Sequence, residues 1–329
     1  MRKERSRNED EKLFIRLPYR KIYKYGRRIN LMVYIEIKEK NNRRYYYRVK
    51  SIKKGKKVKK ERIYLGVNLS KEELNKKTKE ADKKLNIFNV LLSKEEIKVL
   101  KKIKKDFSKE PKENYNNRYE AFCPLFTYDS TGIEGNTLTL SDTYFLLFEG
   151  IVPKNKSLRE INESINHKKA FDYILNYSGD ISKDFILELH RFVVINTLRP
   201  DLTSQIEKYR NVQVFIGRSI PPKSSDVPNE MARLIRWYST NKKKFHPIIL
   251  ASYFHTEFEK IHPFVDGNGR VGRLLMNFIL YKNKFPMINI PKKRRFKYYQ
   301  VLQEAQYKSR LDEFIKFLID ILKKDNLRF

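Results

Sequence analysis

The sequence has few residues that could hold it together covalently or anchor it in a membrane. Cys123 is the only cysteine among 329 residues, so an internal disulfide and a cysteine-based metal cluster are both excluded. No apolar run approaches the roughly 20 residues of a membrane-spanning helix. The charged start, MRKERSRNEDEK, is followed by no apolar segment, so no secretory signal is recognisable. Together these absences predict a cytoplasmic protein without a membrane span.

Acidic residues are also scarce relative to basic ones. The chain has 72 Lys and Arg residues against 39 Asp and Glu residues, a net charge of +33. Residues 1–120 carry +22 of this excess and residues 121–329 carry +11. So positive a field attracts polyanions such as nucleic acid, anionic membranes or nucleotide phosphates. A general preference for lysine on a solvated surface would explain the average excess, but it explains the asymmetry less well.

The first part of the chain has the pattern of a small basic β-sheet. Aromatic and β-branched residues mark strands at 29–37, 44–50 and 62–66, and the glycine-containing segment 53–57 is typical of a hairpin turn. Tyrosines and lysines on such a sheet could contact a phosphate backbone and stack on bases, or the lysines could simply solubilise the sheet. We predict a basic β-rich N-terminal module at 1–69, with nucleic acid as a candidate partner.

Helical patterns follow this module. Ser70 and Ser93 each begin a capping box with glutamate three residues later, and a helical connector is predicted over 70–117. From residue 118 onward the helical spacing of apolar residues dominates, and the apolar share of the chain, 40%, is enough to build a core. In one departure, at 211–223, alternation followed by two prolines predicts a short strand or hairpin. The predicted fold class is mainly α, or α+β with the N-terminal module included.

The segment IHPFVDGNGRVGR at 261–273 has the arrangement of an anion site at the start of a helix. Apolar residues at helical spacing lead up to His262, and Pro263 ends that helix. The Gly-Asn-Gly sequence then precedes a second, buried helix. Glycine and asparagine tolerate positive φ, so successive N–H groups can converge into an anion-binding nest that the helix dipole strengthens.

The side chains of this segment suit phosphoryl or nucleotidyl transfer. Arg270 and Arg273 are three residues apart and share a helix face. Asp266 is a hard oxygen ligand of the kind that holds magnesium beside substrate phosphates. His262 is the natural general base near neutral pH. The alternative is a plain helix–loop–helix in which Asp266 only caps the second helix, but so many reactive groups together favour a transfer site.

At every fixed position, residues 262–273 resemble the signature of Fic-domain proteins, most of which transfer AMP from ATP to protein hydroxyl groups. The resemblance implies that His262 deprotonates a Ser, Thr or Tyr hydroxyl of a target protein and that Asp266 holds magnesium. It also implies that Arg270 stabilises charge on the leaving pyrophosphate and that Arg273 binds the γ-phosphate. The remaining residues that it places in the phosphate site are Gly267, Asn268, Gly269 and Gly272.

The resemblance extends over about 118–325. It implies a Fic-type helical bundle that forms a catalytic domain at 118–329, with a β-hairpin flap at 211–223. Tyr298, Tyr299 and Gln306 would lie on the helix that lines the adenine pocket, although the position of Gln306 is usually asparagine in the family. The flap residues that would border the nucleotide are Ile216, Gly217, Arg218 and Ser219.

A second motif, SxxxEG beginning at Ser130, resembles an inhibitory motif of some Fic proteins. Without the resemblance, Glu134 would be read as a surface carboxylate near a helix end. In the family the glutamate pairs with the second signature arginine, so Glu134 would hold Arg273 in place of the γ-phosphate, from an inhibitory helix at about 124–136. This implies an autoinhibited adenylyltransferase and a candidate homodimer. Removal of AMP, or transfer of another phosphate-containing group, stays open.

Overall fold

The computed structural model describes residues 29–54, 57–84, 91–109, 111–215, 220–308 and 310–325. The chain divides into two units, Met1–Val90 and Leu91–Phe329, and the boundary between them falls within the predicted helical connector. The division into 1–69, 70–117 and 118–329 stays a prediction from the sequence. Within the described ranges, each helix is too short or too polar to cross a lipid bilayer.

The first unit contains a three-stranded antiparallel sheet in the order β1–β2–β3. The strands are β1 (Ile29–Lys40), β2 (Arg43–Lys54) and β3 (Lys57–Val67), which confirms the three predicted strands; the turn tip at 55–56 lies outside the described residues. Asn41 and Asn42 have φ of 53° and 55°, as a two-residue hairpin turn requires. Helix α1 (Lys71–Lys84) follows with its predicted capping box, in which the Ser70 N–H donates to Glu73 Oε2 at 2.9 Å.

The second unit is helical, which confirms the predicted fold class. Helix α2 begins at the predicted Ser93 capping box, where the Glu96 N–H donates to Ser93 Oγ at 3.1 Å, and it packs against the last helix. A π-helical turn spans Phe145–Glu149, and short 3₁₀ helices span Pro200–Gln205, Ser224–Asp226 and Lys292–Arg294. The α-helices are α2 (Lys94–Ser108), α3 (Lys112–Ile133), α4 (Leu140–Tyr144), α5 (Leu158–Asn176), α6 (Lys183–Val194), α7 (Val227–Asn241), α8 (Pro247–Ile261), α9 (Asn268–Lys282), α10 (Arg295–Lys308) and α11 (Leu311–Asp325).

Helices α8 and α9 form the centre of this unit. Leu250, Phe254 and Phe258 of α8 are fully buried, and so are Leu275 and Phe278 of α9. Helices α3, α5, α6, α7, α10 and α11 each pack against α8 or α9. Helices that are apolar on most faces are expected to be enclosed in this way. Because both helices are enclosed, the loop that joins them, 262–267, is held at a fixed place in the core.

The described part of the predicted flap, 211–215 and 220–223, contains no β-strand, and the tip of the predicted hairpin, 216–219, lies outside the described residues. Pro221 and Pro222 have no N–H group to donate, so a regular ladder between the two arms is interrupted. Side chains join the arms instead. Gln213 Nε2 donates to the Pro221 carbonyl at 3.2 Å, and Arg210 donates to carbonyl groups on both arms.

Candidate functional site

Two residues with left-handed backbone conformations shape the loop between α8 and α9. His262 ends α8 with φ 50° and ψ 64°, and Gly267 precedes α9 with φ 81°. A Cβ at position 267 would lie 2.7 Å from Val194 Cγ1, so both the backbone conformation and the space require glycine. The sharp turn predicted around the Gly-Asn-Gly sequence is therefore present.

The Asn268 side chain holds this loop closed. Its Oδ1 accepts the Phe264 N–H at 2.9 Å, and its Nδ2 donates to the Phe264 carbonyl at 2.8 Å. The amide group is therefore committed to the loop. The first N–H groups of a helix have no partner within the helix, so the predicted anion nest would have to use the backbone at the start of α9 and not the Asn268 side chain.

The His262 imidazole is neutral near pH 7. Burial lowers its pKa to about 4; the nearby Glu259 carbonyl group opposes this effect, and the Arg210 charge adds to it. A neutral imidazole can accept a proton from a hydroxyl group, as a general base must. His262 therefore has the protonation state that its predicted role requires.

Arg210, which the sequence patterns do not single out, ties the loop to the flap. Its Nε donates to the His262 carbonyl at 2.8 Å, and its Nη1 and Nη2 donate to the Val212 and Pro222 carbonyls at 2.9 and 2.6 Å. Its own N–H donates to the Pro263 carbonyl at 2.9 Å. The residue is 2% exposed. One buried guanidinium thus connects the loop between α8 and α9 with both arms of the predicted flap.

The Asp266 carboxylate is one-third exposed (33%) and accepts three donors. These are the Gly267 N–H at 2.6 Å, Arg159 Nη2 at 3.1 Å and Arg270 Nη2 at 3.4 Å. Over the ranges that the structure describes, no three His, Cys, Asp or Glu side chains form a cluster able to hold a metal ion. Magnesium that arrives with substrate phosphates needs only one or two carboxylates, and the exposed Asp266 meets that need.

Arg270 is buried beside this carboxylate. Its residue exposure is 2%, and its Nη1 lies 3.8 Å from Glu163 Oε1. Its Nε is buried without a hydrogen-bond partner among the described residues. A buried guanidinium with unused donors suits an incoming anion, since each unpaired donor is costly to leave in the interior.

Arg273 brings the two predicted motifs into contact. Its Nε donates to Ser130 Oγ at 3.0 Å, and its Nη2 donates to the Ser130 carbonyl and to Glu134 Oε1, each at 2.8 Å. The Arg273 side chain is 1% exposed. A Cβ at Gly269 would overlap Glu134 Oε1, so the carboxylate lies directly against the first turn of α9. Glu134 therefore occupies space beside the predicted anion nest.

Glu259, His255 and Tyr298 form a buried group next to Arg273. His255 Nε2 lies 2.8 Å from Tyr298 Oη. Burial raises the pKa of Glu259 to about 8; the Arg273 charge opposes this and the Glu134 charge adds to it. A Cβ at Gly272 would overlap Glu259 Oε1, so Gly272 faces this buried group. Glu259 was not predicted from the sequence, although a carboxylate within the apolar stretch of α8 was an available sign.

The residues predicted to line the adenine pocket contact neighbouring helices. The Tyr298 ring centre lies 6.0 Å from Arg273 Cζ. Tyr299 Oη donates to the Ile133 carbonyl at 3.3 Å, at the end of α3, and Gln306 Nε2 donates to the Thr256 carbonyl of α8 at 3.4 Å. The four predicted flap residues lie outside the described ranges: Ile216, Gly217, Arg218 and Ser219.

Comparison with known proteins places this loop in a family. Residues 180–280, from the start of α6 nearly to the end of α9, match the Fic/DOC family. The chain contains a Fic domain. It is 38% identical to the protein adenylyltransferase Fic of Drosophila persimilis over 203 residues, and 39% identical to that of Drosophila melanogaster, covering 60% of this chain in each case. The chain spans 39–40% of the length of these curated relatives.

Solved structures show that the Fic fold extends beyond the matched segment. A Fic domain-containing signalling protein from Bacteroides thetaiotaomicron is 27% identical with a TM-score of 0.62, covering 70% of this chain and 94% of that one. Fic-1 from Caenorhabditis elegans is 25% identical with a TM-score of 0.65, covering 79% and 77%. The predicted Fic-type helical bundle is thereby confirmed.

Proposed function

We propose that the Fic domain of this chain is a protein adenylyltransferase that transfers AMP from ATP to a Ser, Thr or Tyr hydroxyl of a target protein. The observation that carries the proposal is the neutral His262 at the end of α8, followed after one short loop by α9, whose first turns carry Arg270 and Arg273. The name of the Drosophila relatives, protein adenylyltransferase Fic, supports the same reaction.

In this reaction His262 accepts the proton of the target hydroxyl. The hydroxyl oxygen then bonds to the α-phosphorus of ATP, and the bond from that phosphorus to pyrophosphate breaks. The N–H groups of Gly267–Gly269, together with Arg270, stabilise charge on the pyrophosphate, and Arg273 binds the γ-phosphate. Asp266 would hold magnesium, which supplies positive charge for the phosphates. The other proposed nucleotide contacts are Ile216, Gly217, Arg218, Ser219, Gly272, Tyr298, Tyr299 and Gln306.

We also propose that Glu134 inhibits this activity. Arg273 Nη2 donates to Glu134 at 2.8 Å, and the γ-phosphate would need the same guanidinium. Ser130 strengthens the inhibited arrangement, because its hydroxyl and carbonyl oxygens accept two further bonds from Arg273. ATP would then bind weakly until Glu134 moves away.

Incorporation of labelled AMP tests both proposals. Glu134→Gly is expected to increase label on the chain itself or on a protein in cell extract, and adding His262→Ala is expected to abolish it. Glu120→Gly, at an exposed position of α3, controls for loss of helix stability. Absence of label with Glu134→Gly would contradict adenylylation. Parallel assays with other nucleoside triphosphates and with an adenylylated protein distinguish transfer of another group and removal of AMP.

The first unit is proposed to bind nucleic acid through residues 1–69. Lys60, Arg62 and Tyr64 alternate along β3 on one face and are exposed. Cations and an aromatic ring on one sheet face suit a phosphate backbone and its bases. Binding of single-stranded RNA and DNA to the full chain should weaken steeply with salt. A flat salt response, or no binding at low salt, would contradict this proposal.

A homodimer in the cytoplasm is the proposed assembly. The segment 140–158 exposes large apolar side chains, including Phe145 (45%), Ile151 (57%) and Leu158 (72%). Large apolar side chains exposed in one segment favour contact with a second copy of the chain. Analytical ultracentrifugation should show a dimer that Ile151→Asp dissociates, and a monomer at all concentrations would contradict it. The cytoplasmic location rests on the single, buried Cys123.

A further inference from the structure

Helix α3 carries Ser130 and ends just before Glu134, and this end of the helix concentrates negative charge. The carbonyl groups at a helix C-terminus carry partial negative charge. Glu134 adds a full negative charge at this end, and the last turn of α3 contains no basic residue of its own. Arg273 pairs with Glu134 and with the Ser130 carbonyl, and the carbonyl groups further along this end remain for a second cation from elsewhere in the fold.

Lys292 supplies that cation. Its Nζ donates to the Asn136 carbonyl at 3.0 Å, just beyond the end of α3, and its backbone N–H donates to Asp129 Oδ1 at 2.7 Å. A Cβ at Gly132 would lie 2.6 Å from Lys292 Cδ, so the lysine stem crosses the helix where glycine leaves room for it. The ammonium also lies 5.6 Å from the centre of the Tyr128 ring.

These contacts surround the inhibitory residues on α3. Asp129 precedes Ser130, Gly132 lies between Ser130 and Glu134, and Asn136 follows Glu134 by two positions. Lys292 therefore fixes the helix on both sides of the groups that bind Arg273. It contacts none of the oxygen atoms that accept from Arg273.

We propose that Lys292 is a positioning residue for the inhibitory Glu134: it stabilises the end of α3 and so holds the carboxylate on Arg273. The inference rests on the proposed inhibition by Glu134. Without the ammonium group, this end of α3 would lose one of its two cations, and it would leave the remaining one, Arg273, more readily. ATP would then compete for Arg273 more successfully.

Calorimetry with ATP and magnesium tests this directly. The measurements use the whole chain with His262→Ala, which prevents turnover. Lys292→Met is expected to raise ATP affinity about 3- to 30-fold, the factor that a lost charge–dipole contact and hydrogen bond imply. Lys292→Arg should keep the affinity near the parent value. Lys293→Met changes the exposed neighbouring lysine and is the matched control.

A second background separates positioning from direct effects on ATP. In chains that also carry Glu134→Gly, Lys292→Met should change ATP affinity less than about twofold, because no inhibitory carboxylate remains to be positioned. Hydrogen exchange of the amides at 133–137 should be faster in Lys292→Met than in Lys293→Met. Gly132→Ala, which displaces the lysine stem, should also raise affinity.

Two results would overturn the inference. In the first, Lys292→Met has the same ATP affinity as the parent, whereas Glu134→Gly raises ATP affinity. This result would leave the proposed inhibition by Glu134 intact and would exclude the role of Lys292. The other is an equal gain from Lys292→Met with and without Glu134, which would mean that Lys292 acts on ATP directly. Failure of the proposed transfer reaction is recognised separately, by the absence of AMP label with Glu134→Gly in the presence of His262.

Discussion

Replacement of the buried Glu259 should change how the stability of the second unit depends on pH. Burial raises the pKa of this carboxyl from 4.5 to about 8, so the folded chain keeps a proton that the unfolded chain releases. Between pH 4.5 and pH 8 the folded state binds more protons, so stability falls as pH rises through this window. At about 1.4 kcal/mol per pH unit, the loss reaches about 5 kcal/mol at pH 8 and above.

Glu259→Gln removes the ionisation while keeping the shape of the protonated carboxyl group. The variant should match the parent near pH 4.5 and exceed its unfolding free energy by about 3 to 5 kcal/mol at pH 8 to 9. Trp237, the single tryptophan, lies on α7, and the centre of its ring is 3.9 Å from that of Tyr253. Its fluorescence therefore reports unfolding of this unit in denaturant titrations. Glu257→Gln, at a less buried position of α8, is the control.

The raised pKa of Glu259 would be contradicted if the unfolding free energies of Glu259→Gln and the parent differed by the same amount, within about 0.5 kcal/mol, from pH 5 to pH 9. A variation of about 0.5 kcal/mol is smaller than the smallest expected change. A constant difference would mean that Glu259 is ionised throughout that range, paired with Arg273. Glu257→Gln shows how far the unfolding free energy changes with pH because of groups elsewhere in the chain.

Three further variants test the site geometry. Arg210→Met should lower the unfolding free energy by about 3 to 5 kcal/mol, because it leaves buried carbonyl groups, including that of His262, without donors; a change below about 0.5 kcal/mol in denaturant titration would contradict this. Gly267→Ala should cost about 1 to 3 kcal/mol in the same titration through its positive φ, and unchanged stability would show that the turn can relax. Arg159→Leu should tighten Mn²⁺ binding to the ATP complex, measured by electron paramagnetic resonance, since it frees Asp266 of a competing cation; unchanged Mn²⁺ affinity would argue against that competition.

The signature loop could be predicted from the sequence because its determinants are local. Pro263 ends one helix, Gly267 permits the left-handed turn, and the apolar run after it makes the next helix a buried one. The capping boxes at Ser70 and Ser93 are local in the same sense, since each joins residues three positions apart. Such features need no knowledge of the rest of the fold.

The flap shows where local patterns fail. Alternation at 211–223 predicts a strand, but a strand also needs a partner that can complete its hydrogen bonds. Pro221 and Pro222 have no backbone N–H group to donate. The buried Arg210 donates to carbonyl groups on both arms, which a partner strand would otherwise use. Gly272 carries a second requirement that the family resemblance does not imply, because its missing side chain makes room for Glu259.

The reactive groups of this protein can be read from the sequence: a histidine base, two arginines and a glycine turn within one helix–loop–helix. The pairing of its charges depends on how distant segments pack. Ser130 and Arg273 are 143 positions apart, and Lys292 reaches Asn136 across 156 positions. The physical reason is that burial strengthens each of these contacts and raises the pKa of Glu259, and burial depends on how α3, α8, α9 and the segment before α10 pack together.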